Sequence, residues 1–181
     1  MAQVPVANRY AEALFSLGVE NGELESLGQA LQEMKAYFTG SDALRTVLLN
    51  PAIQLEERRQ VITAISKKAD WPRLFKNFTQ LLLDKDRLRY IAEIAESYAR
   101  KVDDHQGRAR ARVTSAVALK DEQVEKIRAR LSELTGKDVV LTTDVDEELI
   151  GGIVARVGST IYDGSVRTHL QRMREAILKE V

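Results

Sequence analysis

The chain has 181 residues, with 27 Lys and Arg against 27 Asp and Glu, 44% hydrophobic residues and no cysteine. The missing thiols exclude a disulfide scaffold, cysteine chemistry and every cysteine-ligated metal or iron–sulfur site. A formal net charge of zero argues against a polyanionic tail or a strongly basic nucleic-acid binder, and the composition is that of a folded chain.

Residues 5–19 place Val6, Tyr10, Leu14 and Leu17 along one helical stripe, and Asn21-Gly22 is a stop. Leu24, Leu27, Leu31, Met34 and Phe38 follow in 3-4-3-4 spacing, the mark of one helix face, up to Gly40. Ser41 or Asp42 caps a short helix carrying Leu44, Val47 and Leu48, which Pro51 breaks. Residues 55–67 carry Leu55, Val61, Ile62 and Ile65. Asp70-Trp71-Pro72 then reads as a helix start with the proline in the first turn, ahead of Phe75, Phe78, Leu81 and Leu82. A sixth helix runs through Leu88, Ile91, Ile94, Tyr98 and Val102. Six helices with short connections predict an antiparallel helical bundle over residues 1–105.

The pattern changes near His105-Gln106-Gly107. Nine of the ten aromatics precede this point and six of the ten glycines follow it. Arg108 to Val117 alternates, with Arg108, Arg110, Arg112 and Thr114 on a wet face. Residues 121–135 return to helical spacing through Val124, Ile127, Leu131 and Leu134, and Gly136 stops them. Asp138 to Asp144 reads as a strand. Gly152–Val157 and Ser159–Tyr162 read as a hairpin with Gly158 at the bend, and a final helix carries Val166, Leu170, Met173 and Ile177. Residues 106–181 are therefore expected to be a small α+β domain, and the whole chain a two-domain α+β protein.

Chemistry is sparse. Neither His105 nor His169 has a histidine four residues away or a catalytic motif beside it, so both read as solvated side chains and no metal or cofactor is expected. Gly151 to Gly158 is glycine-rich, yet it lacks the Gly-Lys-Ser/Thr ending of a phosphate loop and leads into aliphatic alternation, so a tight turn is the better reading. Asp121 and Glu122 sit in a helix first turn, where the dipole favours negative charge, and that reading outweighs an acid/base pair there or at Asp146-Glu147-Glu148. Arg108, Arg110 and Arg112 form a local basic strip, but no aromatic lies near to stack bases. A small enzyme and a nucleic-acid module are thus the minor alternatives. Two helices carry more apolar surface than a bundle core needs: the first, with Ala7, Tyr10, Ala11, Ala13, Leu14, Phe15 and Leu17, and the fifth, with Leu74, Phe75, Phe78, Leu81, Leu82 and Leu83. Such excess suggests a groove for a partner helix.

Several segments together resemble a known family. They are Ala7-Asn-Arg-Tyr10-Ala-Glu-Ala-Leu-Phe15, Asn77 to Leu88, Val113-Thr-Ser-Ala116, Asp146 to Gly158, and Tyr162-Asp163-Gly164-Ser165-Val166-Arg167. The Gly-Gly run followed at this distance by Asp-Gly-Ser-Val-Arg is the most specific part. The chain resembles, over its whole length, the δ subunit of bacterial and chloroplast F-type ATP synthases, related to the mitochondrial oligomycin-sensitivity-conferring protein. It departs from that pattern at Lys120, where a Ser-like cap is usual, and at Asp86, where glycine is frequent.

The resemblance implies a non-catalytic peripheral-stalk subunit, one copy per complex. Its N-terminal domain would hold the N-terminal helix of an α subunit in a groove between the first and fifth helices, and its C-terminal domain would meet the distal ends of the b subunits. Carried onto this chain, the groove residues are Tyr10, Ala13, Leu14, Leu17, Phe78, Leu81 and Leu82. Gly151, Gly152, Asp163, Gly164 and Arg167 would shape the C-terminal domain, with Arg167 able to pair with Asp163. Membrane association would come only through the complex. With no apolar run of spanning length, no secretory signal and no transit peptide read, the cytoplasmic face of a bacterial inner membrane is expected ahead of a thylakoid setting.

Overall fold

A computed structural model describes residues 3–146, 149–158 and 160–179, with side chains described for 5–146, 149–158 and 160–173. Glu147, Glu148, Ser159 and the side chain of Ile177 lie outside the described residues. The architecture is α+β: eight α-helices and one four-stranded sheet among the described residues. The chain folds as two units, Met1–Val102 and Asp103–Val181.

The first unit holds α1 (Gln3–Asn21), α2 (Leu24–Gly40), α3 (Asp42–Leu49), α4 (Leu55–Lys68) and α5 (Arg73–Asp84), together with most of α6 (Ile91–His105). The 3-4 spacing of α2 turns Leu27, Leu31, Met34 and Phe38 into the core. Ser41 caps α3, its hydroxyl accepting the Leu44 N–H at 3.2 Å. Pro72 stands one residue ahead of the first turn of α5, not inside it. There its carbonyl accepts the Lys76 N–H at 3.0 Å, so the fixed proline φ still sets the direction of the helix. The sixth helix is also not continuous from Leu88. Asp86 takes φ +53°, the Arg87 N–H donates back to the Leu82 carbonyl at 2.7 Å, and Leu88–Tyr90 form a 3₁₀ turn before α6 begins.

Leu14, Leu27, Leu31, Met34, Phe75, Leu82, Ile91, Ile94 and Tyr98 are fully buried and form the centre of this unit. Tyr98 combines an edge-on ring contact to Phe15, centroids 6.4 Å apart, with a hydroxyl that donates to the Leu24 carbonyl at 3.0 Å. Burial of this phenol pushes its pKa up to about 12. Trp71 is likewise satisfied, its indole N–H reaching Glu33 Oε2 at 2.9 Å while its ring packs edge-on against Phe75.

The second unit is built on β1 (Arg108–Ser115), α7 (Asp121–Thr135), β2 (Asp138–Val145), β3 (Ile153–Val157), β4 (Thr160–Asp163) and α8 (Val166–Lys179). Strand order is β2-β1-β3-β4, with β1 and β2 parallel across the α7 connection and the remaining pairs antiparallel. Alternation along β1 sends Ala111, Val113 and Ser115 inward and leaves the three arginines exposed. Among the described residues the buried hydrophobic ones are Ala111, Val113, Leu131, Val139 and Ala155, with Ile127, Leu141, Ile153 and Val157 partly buried around them.

Lys120 precedes α7 without a side-chain cap, since an ammonium cannot accept. Its backbone N–H instead donates to Gln123 Oε1 at 3.0 Å. Two expected apolar stripes are less buried than their spacing implies. Leu134, in the last turn of α7, is 54% exposed, because the small core does not extend under the whole length of the helix. Val166, Leu170 and Met173 of α8 are 41%, 55% and 53% exposed, so that helix is amphipathic with its apolar side uncovered.

Candidate partner-binding surfaces

The seven residues expected to line a groove separate by burial. Leu14 and Leu82 are 0% exposed and Phe78 is 8% exposed. Leu14 and Leu82 therefore belong to the core and cannot themselves present surface, a correction with a simple helical cause. A one-residue step rotates a side chain by about 100°, so Leu14 points inward while Ala13 points out. Ala13, Leu17 and Leu81 are exposed, Leu17 at 42% and Leu81 at 45%. Tyr10 is half-buried and packs edge-on against Phe78, ring centroids 6.4 Å apart, which joins α1 to α5. What emerges is an outward stripe of Tyr10, Ala13 and Leu17 on α1, and Leu81 one turn beyond Phe78 on α5, with Leu14 and Leu82 packed beneath.

The two C-terminal glycine motifs meet in space. Gly152 has φ +84°, and a Cβ built there would lie 2.3 Å from the Gly164 carbonyl oxygen and 2.9 Å from Ser165 Cα. The approach is fixed by Gly164 N–H donating to the Ile153 carbonyl and Val166 N–H to the Gly151 carbonyl, both at 3.0 Å. Asp163 then organises the start of α8: Oδ1 accepts the Ser165 N–H and Oδ2 the Thr168 hydroxyl, both at 2.8 Å. Those bonds, the Ser165 backbone first, hold the carboxyl below its ordinary range. The carboxylate expected to pair with Arg167 is engaged by the Ser165 N–H and the Thr168 hydroxyl. Within the Gly151–Gly158 segment, Gly151 and Gly152 serve as a backbone junction leading into strand β3, which is not the form of a phosphate loop.

His105 and His169 are both exposed, and no group of three or more potential ligands gathers among the described residues. An open cleft of about 580 Å³ between α4 and α5 was not foreseen; Arg59, Lys67, Gln80 and Asp84 are among its lining residues. Within it Arg59 bonds Asp84 at 2.9 Å, which raises the guanidinium pKa. Arg110 is similarly raised by its hydrogen bond to Asp103. Nor does the residue pattern foretell that Arg112 and Arg156 stand opposite each other on β1 and β3. That juxtaposition depends on register, for which local alternation carries no signal.

These surfaces are apolar stripes and ion-paired edges, the equipment of a polypeptide that binds other polypeptides. Residues 6–177 match the family model described as ATP synthase delta (OSCP) subunit, and the chain belongs to that family. It is 44% identical over 172 residues to the ATP synthase subunit delta of Anaeromyxobacter dehalogenans, covering 95% of this chain and 96% of that one. To the corresponding protein of Desulfotalea psychrophila it is 42% identical over 178 residues, 98% of each. Among solved structures, a chain of the Toxoplasma gondii mitochondrial ATP synthase hexamer shares the fold, with a TM-score of 0.74 at 20% identity over 95% of this chain and 97% of that one. No helix among the described residues is long and apolar enough to cross a membrane.

Proposed function

We propose that this protein is the non-catalytic peripheral-stalk subunit of a proton-translocating F-type ATP synthase, one copy per complex. It joins the catalytic head to the b subunits so that rotor torque drives ATP synthesis and does not spin the head. The observation that carries this reading is the full-length family match, 172 of 181 residues within the family model. In this reading residues 1–105 are a six-helix antiparallel domain that receives the N-terminal helix of an α subunit, and residues 106–181 meet the distal ends of the b subunits. The complex sits on the cytoplasmic face of a bacterial inner membrane, and this chain reaches the membrane only through its partners.

The α-subunit helix lies on Tyr10, Ala13, Leu17, Phe78 and Leu81, with Leu14 and Leu82 as the buried support. Closing the exposed fractions of Leu17 and Leu81 would contribute about 1–2 kcal/mol before ordering costs. The uncovered stripe of α8 supports a second polypeptide contact on the C-terminal domain.

A peptide copying the α-subunit N-terminus tests the surface. Leu17→Asp and Leu81→Asp should each weaken its binding at least ~tenfold while far-UV helicity stays unchanged, because both sites are solvated in the free chain. Leu14→Asp is expected to lose binding and helicity together, since it buries a charge in the core. Unchanged peptide affinity in both surface variants would remove α1 and α5 as the docking site.

A further inference from the structure

We propose that the arginine-bearing face of the sheet in the second unit, through Arg112 and Arg156, receives an acidic helical segment of a partner polypeptide. The inference rests on the reading that this unit meets the b subunits, and it assigns the face and the chemistry of that contact.

Strand register makes Thr142, Arg112, Arg156 and Ile161 one continuous cross-strand row. Residues directly opposite in a sheet share a face, and like charges so placed destabilise the pair. Arg112 is partly answered by Asp144 at 3.3 Å. The Arg156 side chain is exposed and has no ion pair or hydrogen bond among the described residues. The uncompensated repulsion is thus at the middle of the sheet and not at a frayed edge, where it could relax by moving away.

The surroundings select the occupant. Helix α7 packs Leu131 and Ile127 against Ala111, Val113, Val139 and Ala155 on the other face, while Arg112 and Arg156 on this one are exposed. Val140 and Ile161, on the arginine face, are 47% and 52% exposed and supply apolar flanks. Four strands at ~4.8 Å spacing span roughly 14 Å, enough to seat one helix of ~10 Å diameter. Carboxylates answer guanidinium groups with paired, charge-assisted hydrogen bonds. Asp138, Asp144 and Asp163 rim the same face, where they would repel a run of phosphates, and Tyr162 belongs to the opposite parity of β4, so no base could stack beside the arginines. Isolated carboxylates on an amphipathic helix meet this pattern where a nucleic acid does not.

The probe is the purified soluble portion of a b subunit, titrated against the full-length chain at low and high salt, with the α-subunit peptide as a parallel titration. Arg156→Glu should weaken b binding at least ~tenfold and Arg112→Glu/Arg156→Glu further, with the wild-type salt dependence lost, whereas Arg156→Lys, which keeps the charge but not the paired bonds, should weaken it less than Arg156→Glu. The α peptide should bind every variant equally, which certifies the first unit, and hydrogen exchange across β1 and β3 should certify the second. If b binds wild type but both charge-reversal chains bind it equally well, the arginine face is refuted and the stalk reading stands. If wild type fails to bind b at all, the assignment of this unit to b falls, and this inference with it. Binding of single-stranded DNA by wild type at physiological salt, lost in the double variant, would also overturn it in favour of a nucleic-acid partner.

Discussion

Replacing Gly152 by alanine should loosen the second unit more than any other single methyl added to its glycine turns. The residue holds φ +84°, and the new Cβ would face the Gly164 carbonyl oxygen at 2.3 Å and Ser165 Cα at 2.9 Å. Both neighbours are backbone atoms, so relief requires the β3–α8 junction to open and not a side chain to rotate. Left-handed backbone costs a non-glycine residue about 1–2 kcal/mol, and forcing atoms into filled space adds about 1–3 kcal/mol. Gly158 is the internal control. It has φ +59° but nothing within 4 Å of its built Cβ, so Gly158→Ala meets only the first cost. The difference between the variants, about 1–3 kcal/mol, corresponds to roughly 5- to 150-fold faster amide exchange wherever opening is sub-global. Hydrogen exchange by mass spectrometry on the full-length chain, read over β3, β4 and the first turn of α8, measures it. Equal exchange in the two variants would refute the argument that the Gly152–Gly164 approach, and not φ alone, demands glycine.

Two further expectations concern the first unit. Tyr98→Phe keeps the ring packed on Phe15 but deletes the hydroxyl bond to Leu24, so denaturant unfolding should show a loss of about 0.5–1.5 kcal/mol at neutral pH. Because the folded pKa of Tyr98 is raised from 10.0 to about 12, the neutral phenol favours the folded state; its contribution is complete below pH 10 and falls away between 10 and about 12. The wild type should therefore lose stability over that alkaline window more steeply than Tyr98→Phe, and parallel pH profiles would contradict it. At Asp86, φ +53° predicts a ranking by backbone tolerance: Asp86→Gly close to wild type and Asp86→Val less stable by about 1–2 kcal/mol in the same unfolding assay.

Much of the fold was legible because its signals are local. The run Leu24, Leu27, Leu31, Met34, Phe38 can be satisfied only by a helix, and the α2 that forms buries all of these but Leu24, which is partly buried against the same core. The Arg-Ala alternation of β1 likewise fixed both the strand and its wet face. The candidate groove was legible only as two helices. Ala13 and Leu14 are neighbours in the chain and lie on different sides of the surface, and the same holds for Leu81 and Leu82. Hydrophobicity alone does not separate a side chain that supports a surface from one that forms it. Asp86 illustrates the reverse case. It departs from the glycine that the family resemblance implies there, and its positive φ explains why glycine suits that turn. Placement of Arg112 beside Arg156 was out of reach, because it depends on strands more than 40 positions apart finding one register.

Among the described residues, five hydrophobic side chains make up the buried centre of the second unit, against twenty in the first. Folding equilibria respond to such asymmetry through mass action: whatever binds the native form adds RT ln(1 + [L]/Kd) to its stability, about 2.7 kcal/mol when the partner is present at 100 times its Kd. For a thinly filled unit that increment is a large share of the total, whereas for the first unit it is a modest correction. Protease resistance of residues 106–181 should accordingly rise with partner concentration, and a cell producing this chain in excess over its partners would degrade the surplus from this end first.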